Sequence, residues 1–172
     1  MQLAHDLAPA SPWTRVIGRA ATVEHPVRKA RALLDAVLAE PDLVLALPLA
    51  RTPGRYERNY LFGDPTMSVW AMTWAPGSAT SIHDHHCSCC FGIVAGELRE
   101  RRFRPVRDDA VTPTREWVRG PGFRACLVPT GPNIHQMVNT AEVEAISVHV
   151  YGFDRTRRAS SVEREYRLAA ES

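Results

Sequence analysis

The sequence predicts a mainly β fold that follows a short N-terminal helical segment. From Arg55 onward, short apolar stretches are separated by Gly and Pro, a pattern typical of strands joined by turns. Before that point, apolar residues recur at helical spacing. A chain of 172 residues has the length of one domain. We therefore expect a single domain over residues 1–172, with a helical part in residues 1–50 and a β-barrel in residues 55–170.

The composition excludes several classes of partner. Apolar residues make up 45% and charged residues 23% of the chain, as in ordinary globular proteins. The net charge of +2 is too small for a strong polyanion footprint, so we expect no nucleic-acid partner. No apolar run approaches the length of a membrane span, and residues 1–13 lack the apolar core of a signal peptide. We expect a cytoplasmic monomer with no membrane partner.

Prolines delimit the helical segment. Pro26 suits the first turn of a helix and Pro41 cannot continue one, so the pattern predicts a helix between them. The apolar run from Leu43 to Leu47 fits either a short helix or a strand, because periodicity does not decide over so few residues. We expect this helical part to pack against the outside of the barrel.

One segment near the middle of the chain concentrates side chains that bind metals. If it is extended, His83 and His85 point to the same side, because side chains alternate across a strand. Imidazole suits zinc, copper, iron and nickel. Apolar runs at Trp70–Trp74 and Ile93–Ala95 predict strands on either side of the pair. The segment therefore predicts a hairpin that carries a metal.

The cysteines are unevenly distributed, at positions Cys87, Cys89, Cys90 and Cys126. Three of them fall within four residues, which is a poor framework for disulfides and fits a reducing compartment. A structural zinc site is the alternative, but the sequence has no second ligand pair at zinc-finger spacing.

The spacing of the histidine segment resembles the first motif of the cupins. Gly77 is followed after five residues by His83-x-His85 and then, after four residues, by Cys90. A short apolar run leads from there to Gly96. In that motif the position of Cys90 usually holds Glu.

A second segment, Pro129-x-Gly131-x-x-x-His135-x-x-x-Asn139, resembles the second cupin motif. It has one extra residue between Gly131 and His135. The two motifs in this order imply a cupin fold, which is a double-stranded β-helix or jelly-roll barrel.

Another informative strand is predicted at residues 145–151. Its alternation separates an apolar, β-branched face from a polar face that carries Ser147, His149 and Tyr151. In a small barrel, one face packs against covering elements and the other lines the interior. Buried polar groups need partners, so a polar row in the cavity indicates a relay, whereas on an edge strand the row faces water. With a metal motif on both sides, we favour the cavity.

Five segments occur in a characteristic order between about Arg55 and Tyr151. They are Arg55-Tyr56-Glu57-Arg58-Asn59, Ser81-Ile82-His83-Asp84-His85, Cys90-Phe91, His135-x-x-x-Asn139 and Ser147-Val148-His149-Val150-Tyr151. Together they resemble the cysteine dioxygenase family of cupin thiol dioxygenases, over more than half of the chain.

The resemblance implies a mononuclear Fe(II) ion held by three neutral imidazoles, those of His83, His85 and His135. It implies a small thiol and dioxygen as substrates, with both oxygen atoms passing to sulfur to give a sulfinate. Cys90 in place of the usual Glu removes an anionic ligand and leaves three positions on the iron open. That suits a substrate that brings its own thiolate.

The resemblance also implies roles for residues around the iron. Tyr151 hydrogen-bonds the bound substrate or dioxygen, and His149 and Ser147 orient that tyrosine. Arg58 pairs with the substrate carboxylate through its guanidinium fork, and Tyr56 adds a hydroxyl nearby.

Cys90 occupies the position at which animal members of the family carry a cysteine joined by a thioether to the tyrosine that matches Tyr151. Both partners are present, and Cys87 and Cys89 lie close enough to leave the identity of the cysteine open. The alternative is that these cysteines are small apolar fillers beside the site.

The sequence departs from the animal enzymes in ways that leave the thiol open. It has one residue fewer between Cys90 and Gly96 and one fewer between His135 and Tyr151. The Tyr-Gly ending of the last motif is closer to a bacterial branch that oxidises 3-mercaptopropionate. Three hypotheses follow: an L-cysteine dioxygenase that yields cysteine sulfinate, a dioxygenase of another small thiol such as 3-mercaptopropionate, or a non-catalytic metal-binding cupin.

Overall fold

A computed structural model gives the fold of residues 12–130 and 133–170. Residues 1–11, 131–132 and 171–172 lie outside the described residues. Gly131 of the second motif is among them, and so is most of the segment 1–13 in which no signal-peptide core was found. The described elements, in chain order, are α1 (Pro12–Ala21), α2 (Pro26–Ala39), α3 (Asp42–Leu45), β1 (Tyr56–Asp64), β2 (Met67–Trp74), β3 (Ile82–His85), β4 (Cys89–Ala95), β5 (Leu98–Arg107), β6 (Ala110–Arg119), β7 (Arg124–Leu127), β8 (His135–Val138), β9 (Ala145–Tyr151) and β10 (Val162–Leu168).

The strands form two five-stranded sheets. The first has the order β1-β2-β9-β4-β7 and is antiparallel throughout. The second has the order β10-β3-β8-β5-β6 and closes through a short parallel pairing of β10 with β6. This arrangement confirms the predicted mainly β, jelly-roll cupin fold with short N-terminal helices. That the whole chain is one domain stays a prediction.

The helices pack against the outer face of the first sheet, as expected. The buried side of α2 includes Leu33, Leu34 and Val37, which join the β-branched face of β9 in one apolar cluster. Fully burying a side chain of this size contributes about 1.5–3 kcal/mol. This outer cluster therefore holds the helical part on the sheet.

Two features of the helical part were not predicted from the sequence. Helix α1 was not singled out, although Trp13, Val16, Ile17 and Ala20 recur at helical spacing and pack in the outer cluster. Helix α3 settles the open choice for the run after Pro41 in favour of a helix. Among the described residues, none of the helices has the length and apolar character needed to cross a membrane.

Strand β9 lies at the centre of the first sheet, between β2 and β4. All of its residues are buried, so the edge-strand alternative is wrong and the cavity interpretation is confirmed. Its apolar face belongs to the outer cluster, and its polar face points into the space between the two sheets.

The turn after β4 ends the strand at Gly96, as the sequence predicted. The φ angle of Gly96 is 68°, and a Cβ atom at this position would lie 2.5 Å from the carbonyl oxygen of Glu144. Only glycine adopts this conformation at so close an approach without strain. The break therefore fixes where β4 leaves the sheet.

The charged segment Leu98–Phe103 is part of β5, which forms a hairpin with β6. From the sequence alone, the arginines of such a charged strand are expected to form a solvated face, and for Arg102 that expectation is wrong. Glu100 is fully buried, and its carboxylate accepts from Arg102 at 2.7 Å and from Arg119 at 2.8 Å. A buried carboxylate needs such partners, because an unpaired charge in the interior is costly.

Candidate metal centre

Three imidazoles converge between the two sheets. His83 and His85 point inward from β3, whereas Asp84 points away from them and accepts from the hydroxyl of Tyr166 at 2.8 Å. His135 begins β8 and lies directly opposite His83 in the strand pairing. The alternation predicted for the His-x-His pair is thus what brings its two rings together.

The ligand atoms of the three histidines all lie within 4.8 Å of one another. The Nε2 atoms of His85 and His135 are 3.1 Å apart. Among the described residues, this group of potential metal ligands contains no Asp or Glu.

Backbone carbonyls fix the tautomers of two of these rings. His83 Nδ1 lies 2.9 Å from the carbonyl oxygen of Ser81, and His85 Nδ1 lies 3.3 Å from that of Ser161. A carbonyl can only accept, so each Nδ1 carries the proton and each Nε2 keeps its lone pair for a metal.

Burial keeps the rings neutral. Loss of solvent is the largest cause that lowers the pKa of His83, and it lowers the pKa of His85 to about 3, with the neighbouring His83 adding to the shift. The pKa of the fully buried His135 lies well below its ordinary value for the same reasons. Neutral imidazoles with converging lone pairs fit a divalent transition-metal ion.

A cavity of about 140 Å³ adjoins the three rings. Drug-sized ligands occupy pockets of about 300–1,000 Å³, so this space is suited to a much smaller molecule. Its walls come from β1, β2 and β9 of one sheet and from β3, β8 and β10 of the other.

The polar face of β9 forms a continuous hydrogen-bonded row into this cavity. The indole Nε1 of Trp74 donates to Ser147 Oγ at 2.8 Å, and Ser147 Oγ lies 2.9 Å from His149 Nε2. His149 Nδ1 lies 3.3 Å from the hydroxyl of Tyr151. Burial raises the pKa of Tyr151 well above its ordinary value and lowers that of His149 to about 3, so both groups stay uncharged.

Strand β1 contributes Arg58 and Tyr56 to the cavity wall. The guanidinium of Arg58 lies over the ring of Trp70, 4.6 Å from its centroid, and its buried Nε and Nη2 atoms have no hydrogen-bond partner. Tyr56 stacks on Trp74 with ring centroids 5.0 Å apart. A guanidinium held this way offers its donors to an anionic ligand.

The structure corrects the position of one predicted site residue. Cys90 points to the outer cluster, away from the cavity, and forms a disulfide with Cys126 of β7. The prediction that Cys90 adjoins Tyr151 is therefore wrong. The disulfide also departs from the expectation that the cysteine spacing is a poor framework for disulfides. Cys89 is paired with Tyr151 across the strands, and its sulfur lies 4.0 Å from His149 Nδ1. Because faces alternate, a shift of one residue along β4 exchanges the two sides of the sheet.

Sequence reasoning missed the contributions of β10 and the segment before it. Ser161 supplies the carbonyl that orients His85, and Glu165 lines the cavity. A backbone carbonyl has no side-chain signature, and the position of Glu165 depends on a pairing between β10 and β3 that the sequence alone does not indicate.

Asn139 of the second motif has a structural role. Its buried side-chain amide donates to the carbonyl oxygens of Trp74 and Val143, both at 2.8 Å, and its Oδ1 accepts from the backbone N–H of Ala141 at 3.0 Å. These bonds hold the turn that follows β8 against the end of β2.

Solved structures that resemble this one share its fold at low sequence identity. CapF in complex with the inhibitor 3-isopropenyl-tropolone is 17% identical, with a TM-score of 0.53 over 69% of this chain and 34% of that chain. TT1209 from Thermus thermophilus is 23% identical, with a TM-score of 0.49 over 60% of this chain and 90% of that chain. A cupin superfamily protein from Desulfitobacterium hafniense DCB-2 is 12% identical, with a TM-score of 0.48 over 62% and 84% of the respective chains. These likenesses concern the fold alone.

No curated protein sequence matches the chain. The family described as cysteine dioxygenase type I, by contrast, matches residues 21–160, which include every histidine and cavity residue of β1 to β9 described above. The chain therefore belongs to the cysteine dioxygenase type I family of non-haem iron dioxygenases, which act on a small molecule and dioxygen.

Proposed function

We propose that this protein is an Fe(II)-dependent thiol dioxygenase that converts L-cysteine and dioxygen into cysteine sulfinate. The observation that carries the proposal is that Arg58 has two buried nitrogen atoms, Nε and Nη2, without hydrogen-bond partners in the same small cavity as the three imidazoles. A donor fork beside a neutral metal-binding triad suits a small molecule that has a carboxylate at one end and a metal-seeking thiolate at the other.

In this proposal, the Nε2 atoms of His83, His85 and His135 hold the metal. The absence of a carboxylate from this described group supports Fe(II) with open positions for a thiolate, rather than the more common set of two histidines and one carboxylate. When bound, Fe(II) supplies a site for the substrate sulfur and for dioxygen activation. The chain's own residues hold the substrate and its protons.

Arg58 binds the substrate carboxylate. Trp70 holds the guanidinium from one side, so the donors left without protein partners are available to a carboxylate. Tyr56, stacked on Trp74, adds a hydroxyl to the same wall. Both rings restrict the motion of these groups, which lowers the entropy lost when substrate binds.

The row from Trp74 to Tyr151 positions a phenol at the substrate. An indole N–H can only donate, so Ser147 Oγ accepts from Trp74. The hydroxyl of Ser147 in turn donates to His149 Nε2. His149 Nδ1–H then donates to the Tyr151 oxygen, which leaves the phenolic proton for substrate or dioxygen. Tyr151 thus acts as a hydrogen-bond donor whose orientation is set by its neighbours.

If a thioether to Tyr151 forms, Cys89 is the cysteine that supplies it. The bond joins Cys89 Sγ to a ring carbon beside the hydroxyl, with loss of the thiol and ring hydrogens and transfer of two electrons to dioxygen. A disulfide also removes two hydrogens, but reduction restores them. A mass deficit of two hydrogens that persists after denaturation and reduction, and that disappears in Cys89→Ala, tests this assignment.

3-Mercaptopropionate is the second candidate, because it offers the same carboxylate and thiol and the Tyr151-Gly152 ending resembles the branch that oxidises it. The test is anaerobic loading of the protein with Fe(II), titration with L-cysteine, 3-mercaptopropionate and other small thiols, and then exposure to dioxygen. The expected result is consumption of one dioxygen per cysteine and a product that is heavier by two oxygen atoms. Stoichiometric iron without oxidation of any thiol would instead indicate a non-catalytic metal-binding cupin.

A further inference from the structure

The cavity has a second charged group that the proposed function does not use. Glu165 of β10 is paired with His83 across the strands and lines the same cavity as Arg58. Its Oε1 accepts from the hydroxyl of Ser81 at 2.8 Å. Ser81 also supplies the carbonyl that orients His83, so Glu165 is tied to the edge of the histidine cluster.

Glu165 differs from its neighbour Glu163 on the same strand. Glu163 pairs with Arg158 at 3.4 Å, whereas within residues 12–130 and 133–170 no Arg, Lys or His forms an ion pair with Glu165. One side of its carboxylate is held by Ser81, and the negative charge is available to a positive or donating group in the cavity.

Glu165 and Arg58 lie in the cavity wall together with the same histidine, His83. Both side chains line the cavity beside that ring, Arg58 from β1 and Glu165 from β10. A molecule that enters the 140 Å³ cavity beside His83 therefore meets one negative and one positive side chain.

We propose that Glu165 accepts a hydrogen bond from the amino group of the substrate, while Arg58 binds its carboxylate. The site then selects α-amino-acid thiols over thiols that carry a carboxylate alone. This inference rests on the proposed thiol dioxygenase function and names the substrate class of the same site. Glu165 is a specificity residue in this proposal, and Ser81 positions it.

L-Cysteine and 3-mercaptopropionate make a matched pair for the test, because they share the thiol and the carboxylate and only cysteine has the amino group. In the iron-loaded enzyme, Glu165→Gln keeps the shape of the side chain and removes its charge. Glu165 is exposed to solvent, so the expected loss in kcat/KM for cysteine is about three- to fivefold, mostly through KM. For 3-mercaptopropionate the expected change is less than about twofold.

Glu163→Gln is the matched control, since it removes an identical charge two residues away and outside the cavity wall. It should change kcat/KM for either thiol by less than about twofold. Ser81→Ala keeps the backbone carbonyl that orients His83 and removes the hydroxyl that holds Glu165. It should lower kcat/KM for cysteine relative to 3-mercaptopropionate, by a smaller factor than Glu165→Gln.

An equal loss for both thiols in Glu165→Gln, or no loss for either, would overturn this inference and leave the proposed function standing. A selective loss for cysteine that also appears in Glu163→Gln would overturn it as well, since the effect would then be a general one of surface charge. Absence of turnover of every thiol by the iron-loaded wild type would overturn the proposed function and the inference with it.

Discussion

The two faces of β9 are equally buried and have opposite chemistry. Toward the helices, Ile146, Val148 and Val150 join an apolar cluster that needs only shape and volume. Toward the cavity, Ser147 and His149 are just as inaccessible, and each has a hydrogen-bond partner. On one side of the strand, burial contributes to stability, and on the other it holds a row of hydrogen-bonded polar groups in place. We expect mutations on the two faces to affect stability and activity separately.

The largest separation is expected for His135→Ala. Removing one of three converging imidazoles leaves two ligands, so bound iron should fall below about a tenth of an equivalent and turnover by more than about 100-fold. Metal analysis and dioxygen uptake measure the two effects. Stoichiometric iron in this variant would contradict the assignment of His135 as the third ligand.

On the outer face, Leu34→Ala should lower stability and leave iron binding and turnover unchanged. Leu34 is fully buried against the sheet, and truncating such a residue lowers the free energy of unfolding by about 2–5 kcal/mol. Urea unfolding measures the loss, and iron content with kcat/KM below the melting transition should match wild type. A variant that loses iron in proportion to stability would show that the two faces are not independent.

Within the cavity, Arg58→Gln should separate substrate binding from metal binding. Losing the charged fork should lower kcat/KM for cysteine by about 30- to 300-fold, since removing one partner of a desolvated charge pair costs several kcal/mol. Iron content should be unchanged, because Arg58 is not among the metal-binding group. Kinetics equal to wild type at equal iron loading would refute the assignment of Arg58.

A smaller effect is expected for Ser147→Ala, which interrupts the row that ends at Tyr151. The Trp74 indole N–H and His149 Nε2 lose their shared partner, which should lower the free energy of unfolding by about 1–3 kcal/mol. Turnover should fall by about tenfold at full iron loading, about the effect of one misplaced hydrogen bond. A loss of stability without a change in kcat would limit Ser147 to a structural role.

The smallest effect, taken per pH unit, is the pH dependence of stability, and it belongs to the inner face alone. Burial lowers the pKa of His149 from 6.5 to about 3, so below pH 6.5 the unfolded chain takes up a proton that the folded chain does not. The stability of the iron-free protein should therefore fall with decreasing pH between 6.5 and about 3, by at most about 1.4 kcal/mol per pH unit for this group. Replacing His149 by Gln should reduce the slope of unfolding free energy against pH. Leu34→Ala should lower the unfolding free energy at every pH and leave that slope unchanged.

The sequence predicted what depends on local periodicity. The alternation of His83 with His85, and of Ser147 with His149 and Tyr151, places each set on one face whatever the rest of the chain does. The prolines around α2 and the glycine after β4 fixed element ends in the same local way.

Features that depend on register or on distant pairing were not predictable. Cys89 and Cys90 are adjacent, and a shift of one residue is enough to exchange the faces of a strand, so the sequence left open which of them faces Tyr151. Glu165 reaches the cavity only because β10 pairs with β3, about 80 residues earlier, and no local pattern encodes that pairing. Glu100 is an acidic residue in a charged strand, and only the positions of Arg102 and Arg119 explain its burial.

The grouping of Glu100 with two arginines has an electrostatic consequence for the centre. One carboxylate and two guanidiniums leave a surplus of one positive charge, and Arg102 lies opposite His135 in the pairing of β5 with β8. Burial is the main cause of the lowered pKa of His135, and the charges of the neighbouring histidines and of Arg102 add to the shift. For the proposed function, a positive charge at this end of the barrel would attract an anionic thiol acid, so β5 would favour substrate binding without touching the substrate.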